Sequence, residues 1–217
     1  TVDKVVTTKT IDAAGGADYL SFTEAEAAVS TLPAGPNLVQ RNEAIVFEAV
    51  AGTYAEAVTV QSSTPGPALT LDATRNVTFR PAAGSEHGGD RTAGVIVDPS
   101  SGTSFSVKDS FVSVVGLVLK KGLSLEEDGC VADGCIVVSS GVDAVNVNGP
   151  AGTVSDPLVF RNCVLEGGTN QFGINLYGNS GTIVSEVTNC TFTNGGIKTS
   201  TSGAFTVDLA VDNNVVL

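Results

Sequence analysis

Short stretches of alternating apolar and polar residues, each broken by a bend, dominate the second half of the chain. In one of them, Leu158 and Phe160 alternate before a bend at Asn162, and Cys163 and Leu165 alternate after it. Alternation with a period of two indicates strands with one buried face. Asn is one of the few residues that tolerate the left-handed backbone of a tight bend. The stretch therefore predicts two short strands joined by a corner.

This corner recurs along the chain at irregular intervals. Gly or Asn occupies the bend in the clearest copies, at Gly116, Gly134, Asn162 and Asn189. The copies align on the first residue after each bend, which gives Val77, Leu117, Cys135, Cys163, Cys190 and Val215. Repeats of ~20–50 residues are typical of solenoids, in which each turn of chain stacks on the previous one.

Each repeat has room for a third strand between its corners. The candidates alternate in the same way and are Leu123–Leu125, Val145–Val147 and Ile174–Leu176. Three strands per turn predict an all-β fold, a parallel β-helix with rungs ~4.8 Å apart. Its interior would hold ladders of stacked side chains, one of them formed by Leu119, Val137, Leu165, Phe192 and Leu217. A β-sandwich would instead show hairpin turns every ~8–12 residues, and a βαβ fold would need helices between its strands.

The first part of the chain contains the helix that the pattern predicts. Ser21 and Glu24 form a capping box, and the helix runs from there to about Leu32. Its apolar face consists of Phe22, Ala25, Ala28, Val29 and Leu32. We expect this helix to cover the first open end of the β-helix. The predicted division is an arm with a capping helix at 1–43 and a β-helix at 44–217, within a single domain.

Two stretches between the helix and the clear repeats are assigned by the same criteria. Leu69–Ala73 and Val77–Phe79 alternate and predict two strands around a bend. Pro81–Gly94 is polar and rich in Gly, so it predicts a loop.

Composition agrees with an all-β fold and limits the partners. Charged residues make up only 16% of the chain, and it contains 25 Gly. The net charge of −12 argues against a nucleic-acid partner, because binding its phosphates needs clustered Lys and Arg. No apolar run approaches the ~18 residues of a membrane-spanning helix, and no stretch is typical of a signal peptide. We therefore expect no nucleic-acid partner and no membrane insertion.

The four cysteines follow the repeat rather than a disulfide framework. Cys135, Cys163 and Cys190 share one repeat position, which predicts small, buried apolar side chains on successive turns. A disulfide between Cys130 and Cys135 is the alternative. Zinc is not expected, because His87 is the only His of the sequence and no C-x-x-C pair occurs.

Two features resemble the right-handed parallel β-helix (pectin lyase-like) superfamily. The stretch Ala51–Val58 is similar to the G-T-Y-x-E-x-V entry strand of pectin esterase-like β-helices, and the Asn-Cys corners resemble the Asn-ladder turns of that superfamily. The resemblance covers about residues 8–217 and implies a right-handed β-helix. Because the superfamily includes lyases, hydrolases, esterases, adhesins and phage virion proteins, it implies no single function.

Candidate catalytic residues are few and weakly grouped. Acid–base hydrolysis of a glycoside needs two carboxylates across the sugar, and the candidates are Glu126, Glu127, Asp128 and Asp133. We interpret them as a solvated acidic loop, with a weak calcium site as an alternative. A trio of Glu86, His87 and Asp90 is the other candidate. Gly196–Thr199 resembles the R-I-K motif of polygalacturonase-like enzymes, but Gly196 replaces its Arg. We therefore expect no catalytic, cofactor-binding or metal-binding residues.

These observations favour a structural, non-enzymatic protein. Among the functions of the superfamily we expect that of a phage virion member, such as a capsid decoration, spike or fibre-type protein, in a homotrimer with other virion proteins. Val215–Leu217 lies on the final predicted rung, and we expect a partner or further chain to cover it. A polysaccharide-active enzyme or a carbohydrate-binding β-helix is the alternative function. A bacterial surface adhesin, located outside the cell, is a third possible function. We expect the functional residues to lie in the loops 81–94 and 148–157.

Overall fold

The computed structural model describes residues 3–31, 37–61, 69–149, 151–178, 180–201 and 204–217. Its helices are α1 (Phe22–Thr31) and α2 (Leu38–Arg41). In chain order its strands are β1 (Val5–Ile11), β2 (Glu43–Ala49), β3 (Gly52–Tyr54), β4 (Val58–Val60), β5 (Val77–Pro81), β6 (Val95–Val97), β7 (Phe105–Val107), β8 (Val112–Val115), β9 (Val118–Leu119), β10 (Leu123–Leu125), β11 (Val131–Asp133), β12 (Ile136–Val138), β13 (Val145–Asn148), β14 (Leu158–Arg161), β15 (Val164–Glu166), β16 (Ile174–Gly178), β17 (Gly181–Thr188), β18 (Thr191–Asn194), β19 (Ile197–Thr201), β20 (Phe205–Asp212) and β21 (Val215–Val216).

The strands form three sheets in which every pairing is parallel. The first sheet has the order β1-β2-β5-β8-β11-β14-β17-β20, the second β3-β6-β9-β12-β15-β18-β21, and the third β4-β7-β10-β13-β16-β19. From β2 onward the chain visits the first, second and third sheets in turn and then begins the next rung. The fold is therefore a parallel β-helix with three strands per rung, as the sequence predicted. Its right-handed sense stays a prediction and agrees with the usual hand of parallel crossovers.

Helix α1 covers the first end of the interior, and a distant residue helps to hold it there. Ser21 Oγ accepts a hydrogen bond of 3.1 Å from the Glu24 amide, as a capping box requires. The carboxylate of Glu56 accepts further bonds from the Phe22 and Thr23 amides, at 2.8 and 3.0 Å. Phe22 itself is fully buried and packs edge-on against Tyr54, with ring centroids 5.0 Å apart. The predicted end at Leu32 lies outside the described residues.

Inward-facing side chains of all three sheets form one continuous core. Strand pairing places Val97, Leu119, Val137, Leu165 and Phe192 in one column on the second sheet. Each of them is at most 2% exposed. Aromatic rings extend the core on the first sheet, where Phe47 and Phe79 stack with centroids 5.0 Å apart. The predicted ladder is confirmed as far as Phe192.

The corner between the first and second sheets has the predicted left-handed bend. Gly116, Gly134, Asn162, Asn189 and Asn213 have φ angles of 61°, 62°, 56°, 53° and 53°. Their residue types explain the bend, since Gly and Asn are the types that adopt this conformation with little strain.

The alignment was wrong at both ends of the repeat. Val77 begins a strand of the first sheet and pairs with Val112, so it follows the corner from the third sheet to the first and not the corner from the first to the second. At the other end Thr191 pairs with Val215, which makes Asn214 the counterpart of Cys190. The ladder therefore continues to Val216 and not to Leu217. Both errors arise because a bend and its first strand residue were matched by residue type, without strand register to fix them.

Two further differences concern the chain before β5. The predicted strand Leu69–Ala73 forms only a single bridge, between Thr70 and Asn37, because Asp72 turns the chain. The Asp72 carboxylate accepts bonds from the Thr74 and Arg75 amides at 2.9 and 2.8 Å. Helix α2 was not predicted. β1 pairs with β2 over its whole length, so the N-terminal arm continues the first sheet.

Candidate functional site

One corner of the β-helix has connections of very different lengths. It joins the third sheet to the first, and on four successive rungs the connections are 61–76, 108–111, 126–130 and 149–157. Described residues of these connections, together with residues of the strands that follow them, line a groove of about 210 Å³. Among the residues that line it are Asn76, Phe111, Ser113, Gly129, Asp156 and Val159. We call this depression the corner groove.

Phe111 has an unusual backbone conformation for its residue type. Its φ of 55° lies in the left-handed region, where all other non-Gly residues of the described ranges are Asn. A bulky side chain there costs ~1–2 kcal/mol. On the next rung Gly129 takes the equivalent position, with φ 65°, and a Cβ there would lie 2.4 Å from the Phe111 ring. The absence of a side chain at Gly129 therefore makes room for the ring.

A second depression of about 330 Å³ adjoins the corner groove, and Phe111 lines both. We call it the acidic depression, and its walls include Thr70, Lys108, Asp109, Ser110 and Glu127. Burial first, and then the nearby carboxylates of Asp128 and Asp109, raise the pKa of Glu127 above its usual value. Carboxylates outnumber ammonium groups here, so this surface favours neutral or cationic ligands.

The predicted acidic cluster is only partly assembled. Glu126 and Glu127 follow β10, where Glu126 Oε1 accepts a hydrogen bond of 3.0 Å from Ser124. Asp133 ends β11 near the opposite corner and forms an ion pair of 2.9 Å with Arg161 Nε. The other Asp133 oxygen accepts a bond of 2.9 Å from Asn162 Nδ2. Asp133 therefore stabilises the corner instead of joining the other carboxylates.

Metal ligands were not expected from the sequence. Within the described ranges, no group of three or more His, Cys, Asp or Glu residues could hold a metal ion. Among the same residues, no helix has the length and apolar character that crossing a membrane requires.

The loop between β5 and β6, residues 82–94, is fastened to later rungs. His87 Nε2 donates to the Gly134 carbonyl oxygen at 2.8 Å, and its Nδ1 accepts from the Gly89 amide at 2.9 Å. Arg91 Nη1 reaches the Glu166 carboxylate at 2.9 Å. Both partners belong to rungs beyond the loop's own, so the loop extends along the axis of the β-helix.

This loop accounts for an otherwise unexpected burial. Val118 and Ile136 alternate with core residues of the second sheet and therefore point outward, yet they are 0% and 4% exposed. Neither belongs to the main core cluster. Because Gly134 and Glu166 bracket them, we infer that the loop covers them. Its role is thus to seal an aliphatic strip on the outer face.

The trio of Glu86, His87 and Asp90 is not assembled as a catalytic site. Both ring nitrogens of His87 are occupied by backbone groups. Asp90 instead accepts bonds of 2.7 Å from the amide and hydroxyl of Thr92. Glu86 is exposed. The R-I-K-like stretch lies in β19, where Lys198 Nζ is 5.2 Å from the centre of the Phe172 ring.

All four cysteines are free thiols in buried positions, so the Cys130–Cys135 disulfide is not formed. Cys135, Cys163 and Cys190 lie on consecutive rungs, as predicted. Burial raises the pKa of the Cys130 thiol to about 12. Its sulfur lies 3.3 Å from the Asp109 carbonyl oxygen.

The last described residues include four exposed aliphatic side chains. Val211, Val215, Val216 and Leu217 are 53%, 51%, 64% and 76% exposed. β20 and β21 are edge strands of the first and second sheets. We call these four residues the terminal apolar face.

Comparisons with protein-family models and with curated proteins give no significant match. The site is therefore interpreted from its geometry. Sequence reasoning placed function in the loop 148–157 but missed Phe111, Asn76 and Ser113. An alignment on this second corner would have shown that Phe111 and Gly129 share one repeat position on successive rungs.

Proposed function

We propose that the chain is a structural, non-enzymatic β-helix that works within a larger assembly. The pectin lyase-like β-helices that its corners and entry strand resemble include phage virion proteins, and we propose an assembly of that kind. In this proposal the protein is a capsid decoration, spike or fibre-type component, a homotrimer in contact with other virion proteins.

The observation that carries the proposal is the terminal apolar face. Its aliphatic side chains are each more than half exposed, on strands at the edges of two sheets. Edge strands with apolar side chains favour pairing with further β structure. Aliphatic side chains left exposed on a final rung are typical of protein–protein contact sites. A second copy, another virion protein or further chain would bury them, and we propose the first two.

Charged residues outside this face support a structural role. Asp133 pairs with Arg161, and Arg91 pairs with Glu166 across rungs. His87 holds two backbone groups. These contacts fasten loops and corners to one another, and they use Asp133 and His87, two of the residues that the sequence offered for acid–base chemistry.

The test combines two substitutions on the terminal apolar face, Val211→Asp and Val216→Asp. Sedimentation velocity should show an oligomer for the unaltered chain and a monomer for the double variant. Val154→Asp is the matched control, because Val154 is 84% exposed and lies in a loop; it should leave the oligomer intact. Equal masses for all three proteins would contradict the proposal. Capsid and tail genes beside the gene would support the virion setting.

A second candidate is a polysaccharide-active enzyme. It is favoured by Glu127, whose pKa is raised by burial and which lines the acidic depression. A carboxyl group with a raised pKa keeps its proton to higher pH, as a general acid requires. Turnover of a glycan that is abolished by Glu127→Gln would establish this function in place of the structural one.

A further inference from the structure

We propose that the corner groove and the acidic depression together bind a neutral oligosaccharide, with a sugar ring stacked on Phe111. This inference goes beyond the assembly role, because no residue of β20 or β21 lines either depression. It assigns a binding site and a ligand class to the corner between the third and first sheets.

The first argument is that folding does not explain the Phe111 ring. At every other described position with a non-Gly left-handed backbone the chain has Asn, which adopts that conformation more easily. Phe111 does not belong to the hydrophobic core cluster. Its ring lies instead over Gly129, between two depressions. Strain retained at a surface site is a common mark of function.

The second argument is the chemistry of the walls. An aromatic face carries partial negative charge and attracts the weakly positive C–H groups on one face of a sugar ring. Around Phe111 the corner groove offers an amide from Asn76, a hydroxyl from Ser113 and a carboxylate from Asp156. Such groups bind sugar hydroxyls as donors and acceptors. A flat apolar ring edged by polar groups is thus suited to a sugar.

The third argument sets the charge and length of the ligand. Asp109, Glu127 and Asp156 contribute carboxyl groups to the two depressions, against the ammonium group of Lys108. This balance disfavours uronic acids and other anionic glycans. The volumes of about 210 and 330 Å³ meet at Phe111, which gives space for more than one sugar unit.

The experiment is a glycan array of neutral and acidic oligosaccharides probed with the full chain. Calorimetric titration then compares the best neutral ligand with trigalacturonate. We expect a neutral glycan to bind at least about tenfold more tightly than trigalacturonate. Phe111→Asn should weaken binding by at least about tenfold while the melting temperature stays equal or rises, because Asn tolerates the left-handed backbone.

Two matched variants complete the test. Phe111→Tyr keeps an aromatic ring and should retain binding. Tyr177→Asn removes an aromatic residue that is 44% exposed and lines neither depression, so it should also retain binding. The proposal is overturned if no neutral glycan binds, if trigalacturonate binds as tightly, or if Phe111→Asn binds as well as the unaltered chain.

Discussion

The amide nitrogen of Cys190 donates a hydrogen bond of 2.7 Å to Oδ1 of Asn214 on the next rung. Asn214 occupies the position that Cys135, Cys163 and Cys190 hold on earlier rungs. Its Nδ2 donates to the Val187 carbonyl oxygen at 2.8 Å. The cysteine column therefore ends in a side chain that bonds the backbone of the preceding rung.

The left-handed bend at Asn189 can be tested by substitution. Asn189→Val places a β-branched residue at φ 53° and should lower the free energy of unfolding by ~1–2 kcal/mol. It also removes the acceptor of a 2.6 Å bond from Asn213 Nδ2. Asn189→Gly loses the same bond but keeps the backbone freedom, so it is the matched control. If urea titration shows that Asn189→Val is as stable as Asn189→Gly, the left-handed bend at this position is contradicted.

Phe192 tests the interior ladder. It is 2% exposed, and its ring lies 2.2 Å from where a Cβ on Gly173 would be. Phe192→Ala should cost ~3–5 kcal/mol of unfolding free energy, because it leaves a cavity in a close-packed column. Val154→Ala, on an exposed side chain, should change it by less than ~0.5 kcal/mol. Similar melting temperatures for the two variants would place Phe192 outside the core.

Most of the fold was predictable from alternation and bends. The third strands Leu123–Leu125, Val145–Val147 and Ile174–Leu176 lie within β10, β13 and β16. The error at Val77 has a physical cause. On that rung the 82–94 loop lengthens the corner between the first and second sheets, so no short bend marks this corner in the sequence. The error at Val215 arose because Asn214 replaces Cys at the repeat position, and residue type alone gave no register.

The corner groove was less predictable than the fold. Its walls come from four rungs, and residues such as Asn76 and Asp156 are 80 positions apart in sequence. Only strand register brings them together. The sequence grouped Asp133 with the other acidic candidates for a similar reason. In the structure it lies one strand further on and pairs with Arg161.

A substitution tests whether His87 holds the loop 82–94 in place rather than taking part in catalysis. His87→Ala removes the bonds to the Gly134 oxygen and the Gly89 amide. We expect a loss of ~1–2 kcal/mol of stability and faster amide exchange in the loop and around Val118 and Ile136. Glu86→Ala, next to it and exposed, should leave exchange unchanged. Unchanged exchange in the His87 variant would show that other contacts hold the loop.

The raised pKa of the Cys130 thiol predicts that the stability of the protein depends on pH in the alkaline range. Its pKa is raised to about 12 in the folded state, whereas an ordinary thiol titrates near 9.0. Between these values the unfolded chain releases a proton that the folded chain keeps. The Cys130 contribution to unfolding free energy should therefore be constant below pH ~9 and fall by ~1.4 kcal/mol per unit above it.

Urea titrations at several pH values from about 8 to 10.5 measure this effect. Cys130→Ala is the comparison, since Lys and Tyr titrations affect both proteins alike. The stability of the unaltered chain should fall more steeply above pH ~9 than that of the variant. Parallel pH profiles would contradict a buried, neutral thiol at Cys130.

The central claim is that this β-helix works as part of an assembly through its terminal apolar face. The most direct measurement is the mass of the unaltered chain in solution, by light scattering during size-exclusion chromatography. The account predicts a mass near three times the 21.9 kDa of one chain. A single species of 21.9 kDa across the concentration range would contradict it.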